Sequence, residues 1–297
     1  DVLVSHLDPI VGAVNDIGWL AVHVACNDIA TSGAPPRWVQ LLVLVPKPED
    51  TEMLEKIMGD VERAAREVGV SIIGGHTGYS GALSRPLVAV TALGTLSGRN
   101  AVLTGSAQPG DKILVSKGIA LEGTAILASD FSKTALELGM TKDDLEKAKE
   151  LFNQISVIPE AVLLGENGAT AMHDVTRGGI LETLLEITRL SKVGMVIDYE
   201  KIPIPNITYR FSKAFKFDPL KMISSGTLVA TVPPSQLADA RQAMEEKNIL
   251  YAVIGEVTTG EGVTIRRSGE VNEYRGIHAE EDELARMWIT YKTDDEF

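Results

Sequence analysis

Between Ile17 and Pro36 the only formally charged side chain is Asp28. The apolar residues around it (Ile17, Leu20, Ala21 and Val24) recur at helical spacing, with Asn15-Asp16 suited to the start of a helix and Ser32-Gly33 to its end. A segment this apolar predicts a helix buried against the rest of the chain. An unpaired carboxylate there would cost on the order of several kcal/mol, so Asp28 should be coordinated, hydrogen-bonded or protonated. Two readings stand: a metal-ligand carboxylate with Asn27 beside it, or an acid on a solvent-facing side of the helix.

At 297 residues the chain is long for one hydrophobic core, which implies two domains. Gly, Ser, Gln and Pro cluster from Gly105 to Gly110 ahead of a new strand, placing the boundary so that residues 1–107 and 108–297 form separate domains. Aromatics make up only 5%, so Val, Ile, Leu and Ala must build the core, which favours parallel or mixed sheets covered by helices. The first region reads β-α-β-α-β-β, and the second alternates helices and strands up to a terminal helix from Glu280 to Ile289. The expected class is therefore α/β or α+β. A net charge of −13 without a basic tract argues against nucleic-acid binding. The single cysteine, Cys26, excludes an internal disulfide and suits a reducing cytoplasm. No stretch reads as a membrane span or a secretory signal.

Four further places could carry chemistry. Asp8 ends an alternating strand in which Val2, Val4, His6 and Asp8 share a face, and it precedes Pro9 as either a ligand group or a turn former. Gly74-Gly75-His76-Thr77-Gly78 follows the apolar run Val70–Ile73 and reads as a glycine-rich turn whose amides could face an anion, with His76 a metal ligand or a satisfied histidine. Asp174-Val175-Thr176-Arg177-Gly178-Gly179 precedes an amphipathic helix, and a helix start with two glycines and an arginine suits an anion; Asp174 could equally cap the helix. Lys117-Gly118, Glu122-Gly123 and Ser224-Ser225-Gly226 read as turns that could flank a cleft. Cys26 reads as a small buried hydrophobe, and the tryptophans as core or interface anchors.

In order along the chain, these pieces resemble a known family. Asn27-Asp28-Ile29-Ala30-Thr31-Ser32-Gly33-Ala34-Pro35 is similar to the Asn-Asp-Ile/Leu-Ala-x-Ser-Gly-Ala-x-Pro helix end of the aminoimidazole ribonucleotide (AIR) synthetase superfamily. Gly74-Gly75-His76-Thr77 falls where that family has Gly-x-Asp/Glu-Thr, and Pro109-Gly110-Asp111 opens the second domain as the family does. His173-Asp174-Val175-Thr176-Arg177-Gly178-Gly179 resembles the His-Asp-x-Thr-Arg-Gly-Gly of its HypE hydrogenase-maturation branch. Ile202-Pro203-Ile204-Pro205, Asp218-Pro219-Leu220 and Ile254-Gly255-Glu256-Val257 follow in that branch's order.

The resemblance implies a two-domain fold, with a mixed N-terminal sheet pairing across a homodimer and a C-terminal α/β sandwich, and ATP with Mg²⁺ bound between the domains. It implies Asp8, Asp28 and His76 as the metal set and Asn27, Gly74, Gly75, Thr77, Gly178 and Gly179 against the nucleotide. Asp174 and Arg177 would orient the acceptor or a phosphate. It further implies a cytoplasmic enzyme that activates an acceptor oxygen with ATP, with a maturation protein as a further partner. Three departures bear on this: His76 replaces a carboxylate, the family's Gly-x-x-Asp-Asp-Ala loop is not in the sequence, and the tail Lys292–Phe297 has none of the terminal cysteine on which HypE carries its substrate. They keep two alternatives open, a non-catalytic nucleotide- or partner-binding homologue and a small-molecule kinase or synthetase.

Overall fold

The structure is a computed structural model that describes residues 1–11, 16–276 and 282–294. These fall into two compact units, Asp1–Ala101 and Val102–Phe297.

In the first unit, β1 (Val2–Val11), α1 (Ile17–Thr31), β2 (Pro36–Val45), α2 (Thr51–Val68), β3 (Ser71–Tyr79) and β4 (Leu87–Leu96) follow in order. The strands form one sheet in the order β1-β4-β2-β3, with β4 antiparallel to both neighbours and β2 parallel to β3. Side chains alternate between faces along each strand. One face buries Val39, Leu41 and Val43 of β2 and Val88, Val90 and Ala92 of β4, together with Ala21, Val22, Ala25 and Ile29 of α1. The other face leaves Leu3, Leu7 and Leu42 exposed.

The second unit contains β5 (Lys112–Ser116), α3 (Leu121–Asp130), α4 (Ser132–Glu137), α5 (Lys142–Lys149), α6 (Ile158–Glu166), β6 (Ala171–Asp174), α7 (Gly179–Ser191), β7 (Gly194–Asp198), α8 (Asn206–Phe215), β8 (Leu228–Val232), α9 (Leu237–Glu246), β9 (Tyr251–Thr258), β10 (Gly262–Arg267), β11 (Glu270–Tyr274) and α10 (Glu283–Thr290). Its sheet runs β11-β10-β7-β9-β5-β8-β6, with β10 and β7 the parallel pair among antiparallel neighbours. Ile180, Leu181, Leu184 and Leu185 of α7 bury against Ile113, Val115, Met195 and Ile197 of the strands. A second cluster, with Leu127, Phe131, Phe211, Phe215 and Met287, packs helices on one another. The mixed α/β class expected from composition is the observed one.

Local expectations differ in places. Asn15 and Glu280 lie outside the described residues. Asp16 sits in left-handed backbone and makes no capping bond; its Oδ1 accepts from Arg63 at 2.7 Å. The expected turn at Gly74–Gly78 is instead the second half of β3, held in parallel pairing to β2. Helix α8 and strand β11 are additional elements. Helix α5 ends at Lys149 and continues as a 3-10 turn from Glu150 to Gln154.

Candidate functional site

In the first unit the helix-side face of β1 carries the polar groups. His6 and Asp8 alternate onto that face, and Asp8 is in register with Val90, which is fully buried there. Asp28 reaches the same place from the second half of α1: its Oδ2 lies 3.2 Å from His6 Nε2. Asn27 beside it is wholly buried. Asp28 is half-buried, between the two expected readings; it is an acid in contact with a neighbouring histidine. His6 was not among the expected site residues, although strand alternation already placed it on the face of Asp8. Among the described residues no three His, Cys, Asp or Glu side chains form a complete ion cage. Two carboxylates presenting hard oxygens, with the remaining positions left to water or phosphate, fit Mg²⁺ rather than a metal needing a full set of protein ligands.

The register separates His76 from this group. His76 pairs with Leu42, which pairs with Ala89, which pairs with Pro9, all on the face away from α1. A Cβ added at Gly78 would lie 3.3 Å from His76 Nε2 and 3.6 Å from Leu44, consistent with that side. Strand register thus puts Asp8 on the sheet face where His6 meets Asp28 and leaves His76 on the opposite face. Gly75 has a local explanation: its φ is +151° and an added Cβ would lie 2.2 Å from the Leu41 carbonyl oxygen, so strand pairing demands glycine. Gly74 has open space where its Cβ would be. Thr77 faces the helix side and lines a shallow hollow with Val45, Asp50, Thr51, Leu54 and Tyr79 at the start of α2.

In the second unit Asp174 is the last residue of β6 rather than a helix cap; the N-cap of α7 is Gly178, with φ +79°. Asp174 is 1% exposed, and neither carboxylate oxygen has a hydrogen-bond partner. Its nearest cation is His173, whose Nδ1 lies 3.5 Å from Asp174 Oδ1, a charge contact too long for a hydrogen bond. His173 Nδ1–H donates to the Asp174 carbonyl oxygen at 2.6 Å, and Nε2 lies 2.9 Å from Glu186 Oε2 on α7. Burial acts to lower the His173 pKa, but contacts with Asp174 and Glu186 outweigh it and raise it to about 10, so the ring is an imidazolium at neutral pH. Arg177 projects into solvent at 88% exposure, 3.9 Å from Asp282. Gly179, with φ +66°, brings α7 against the loop that follows α8: an added Cβ would lie 2.5 Å from the Leu220 carbonyl oxygen.

The turns that sequence reading left open converge near Asp174. Ser224 Oγ accepts from Leu121 N at 2.9 Å, satisfying an amide in the first turn of α3, and Ser225 N donates to Glu122 Oε2 at 3.2 Å. Burial pushes the Glu122 carboxyl above its usual range against the Ser225 hydrogen bond, and the charge of Asp174 pushes it the same way. Lys117 proves structural: Nζ lies 2.7 Å from Glu160 Oε1 and donates to the carbonyls of Gln154 and Ser156 at 3.0 and 2.6 Å. Those contacts use its three donors.

The family model described as AIR synthase related protein, N-terminal domain, matches residues 1–96, and the corresponding C-terminal domain model matches residues 108–268. A putative hydrogenase expression/formation protein of Methanocaldococcus jannaschii is 31% identical over 80% of this chain and 67% of its own length. Carbamoyl dehydratase HypE of Cupriavidus necator is 31% identical over 87% of this chain and 68% of its own. The chain therefore spans about two thirds of the length of these relatives. Among solved structures, a HypE–HypF complex matches with TM-score 0.75 and 26% identity, covering 92% of this chain and 90% of the other. HypE in complex with ATP matches with TM-score 0.75 at 24% identity, covering 92% and 84%, a likeness of fold.

Proposed function

Because the chain belongs to the AIR synthase related family through both of its domain models, we propose that it is a HypE-like enzyme that uses ATP and Mg²⁺ to activate an acceptor oxygen, in hydrogenase maturation or a related reaction. The observation that carries this reading is the 31% identity to a carbamoyl dehydratase over 87% of the chain, across both units. Asp8 and Asp28, on one face of the first sheet, are the groups that would hold Mg²⁺, with Asn27 beside them. The bound ion would neutralise phosphate charge. Thr77 and the backbone of Gly74 and Gly75 are proposed to contact the nucleotide. Arg177, exposed beside the Gly178–Gly179 start of α7, is suited to pairing with a phosphate, and Asp174 to orienting the acceptor. Positioning and charge neutralisation are what such a site must supply.

The exposed Leu3, Leu7 and Leu42 on the open sheet face support a homodimer. The likeness to the HypE–HypF complex supports a maturation protein as a further partner. We place the protein in the cytoplasm; no helix among the described residues is long and apolar enough to cross a membrane.

Equilibrium dialysis with ATP and Mg²⁺ tests the assignment. Asp28→Ala should weaken Mg²⁺-dependent ATP binding at least about tenfold, the loss expected when one charged ligand is removed. Equal binding by both proteins would remove Asp28 from the site. A second reading, a non-catalytic nucleotide- or partner-binding homologue, is favoured by the position of His76 away from the acids. Sustained ADP formation that disappears in Asp28→Ala would count against it.

A further inference from the structure

The helix-side face of the first sheet carries one side chain that the ATP and Mg²⁺ reading leaves unused. His6 stands on β1 two residues before Asp8, and strand alternation puts both on the face covered by α1. Its Nε2 lies 3.2 Å from Asp28 Oδ2. That contact is open to a small ion, because the His6 side chain is 43% exposed and that of Asp28 24%. His76 is paired with Leu42 on the opposite face, so the imidazole beside Asp28 is that of His6.

Two donors held about 2.1 Å from one ion lie about 3.0 Å apart at a right angle and about 3.4 Å apart at a tetrahedral angle. The 3.2 Å between His6 Nε2 and Asp28 Oδ2 falls within that range. A charge-assisted hydrogen bond between nitrogen and carboxylate is shorter, at about 2.7–2.9 Å. The spacing therefore suits two neighbouring ligands of a cation better than a tight direct pair.

We propose that His6 ligates the same ion as Asp28, and that this nitrogen makes the site select a first-row transition ion, Mn²⁺ foremost, over Mg²⁺. The proposal rests on the ATP and metal reading above and states which ion that site prefers. Mg²⁺ takes hard oxygen ligands and sheds water reluctantly, so an imidazole adds little to its binding. Mn²⁺ accepts carboxylate, water and phosphate oxygens as Mg²⁺ does, and it starts the series in which affinity for mixed nitrogen and oxygen sites climbs towards Cu²⁺. One nitrogen among oxygens marks Mn²⁺ rather than Zn²⁺ or Cu²⁺, whose sites are built from several imidazoles or thiolates. Binding through Nε2 leaves the ring proton on Nδ1, so His6 ligates as neutral imidazole. Asp8, on the same face, adds a second carboxylate within the same strand.

Electron paramagnetic resonance of Mn²⁺ on the full chain reads the ligand directly. With Mn²⁺ and a non-hydrolysable ATP analogue, wild type labelled with ¹⁵N-histidine should show a ¹⁵N modulation of the electron spin echo. Unlabelled adenine cannot supply that modulation, and His6→Ala should lose it. Competition between the two ions, followed through the signal of free Mn²⁺, should give a preference for Mn²⁺ over Mg²⁺ at least about tenfold greater in wild type than in His6→Ala. The nucleotide's own preference is common to both proteins and cancels. His6→Gln keeps a donor for Asp28 but has no imidazole, so it should behave as His6→Ala does. Full retention of the preference in either folded variant overturns the ligand role. A thermal melt checks folding; should neither variant fold, the modulation in wild type decides. Bound Mn²⁺ without ¹⁵N modulation overturns the proposal and leaves the ATP and metal reading standing. A wild type that takes up neither ion with the nucleotide refutes that reading and the proposal with it.

Discussion

His173 makes a quantitative prediction. It is held between Asp174 and Glu186, and its pKa rises from 6.5 to about 10 on folding. At 1.36 kcal/mol per unit this sets an upper limit of about 5 kcal/mol. The ring retains 21% exposure, and hydrogen bonds to charged groups contribute about 1.5–3 kcal/mol, so about 2–3 kcal/mol is the expected loss in His173→Gln. A group whose pKa is raised by folding stabilises fully below its unfolded value. That contribution fades as pH climbs from 6.5 through about 10, because the folded chain then loses a proton that the unfolded chain has already lost. Urea unfolding followed by circular dichroism at about pH 6, 8 and 9.5 should show the largest gap between wild type and variant at the lowest pH, closing towards the highest. A gap that stays constant across this range would show that His173 stabilises by packing and not by charge.

Three further expectations follow from the packing. Gly75→Ala should destabilise the first unit by about 2 kcal/mol or more, because its Cβ would stand 2.2 Å from the Leu41 carbonyl oxygen; a melt within about 0.5 kcal/mol of wild type would contradict that geometry. Cys26 is fully buried and burial pushes its thiol up to about 12, so iodoacetamide should label it only after denaturation, and rapid native labelling read by mass spectrometry would refute its burial. Lys117→Met should cost about 3–5 kcal/mol in chemical denaturation by stranding Glu160, whereas the double variant Lys117→Met/Glu160→Leu should recover most of it.

How much was legible in the sequence varies with the range of the interaction. Asp28 stood out because an acid in an apolar helical run is a local anomaly, and strand alternation already put His6 and Asp8 on one face. That Asp28 would meet His6 was not legible, since this depends on where α1 crosses the sheet. Gly74-Gly75 read as a turn because glycine pairs punctuate chains; the structure uses Gly75 for close strand approach instead. Helix α8 was hidden by Pro203 and Pro205 before it and by a narrow apolar stripe, chiefly Phe211 and Phe215, in an otherwise polar segment. Glu122 looked like an ordinary turn residue because Ser225 and Asp174 come near it only after the second sheet has formed.

The strand order of the first unit also governs how the chain can acquire its shape. The two earliest strands, β1 and β2, share no edge, and β1 joins the β2–β3 pair only through β4, the last of the four to be made. A ribosome-bound chain that has not yet released Leu96 can hold helices and the β2–β3 pair but cannot close this unit. Wherever pairing must wait for distant sequence, apolar faces stay uncovered in the meantime, so synthesis is the stage at which this half is most exposed to aggregation and most dependent on chaperones.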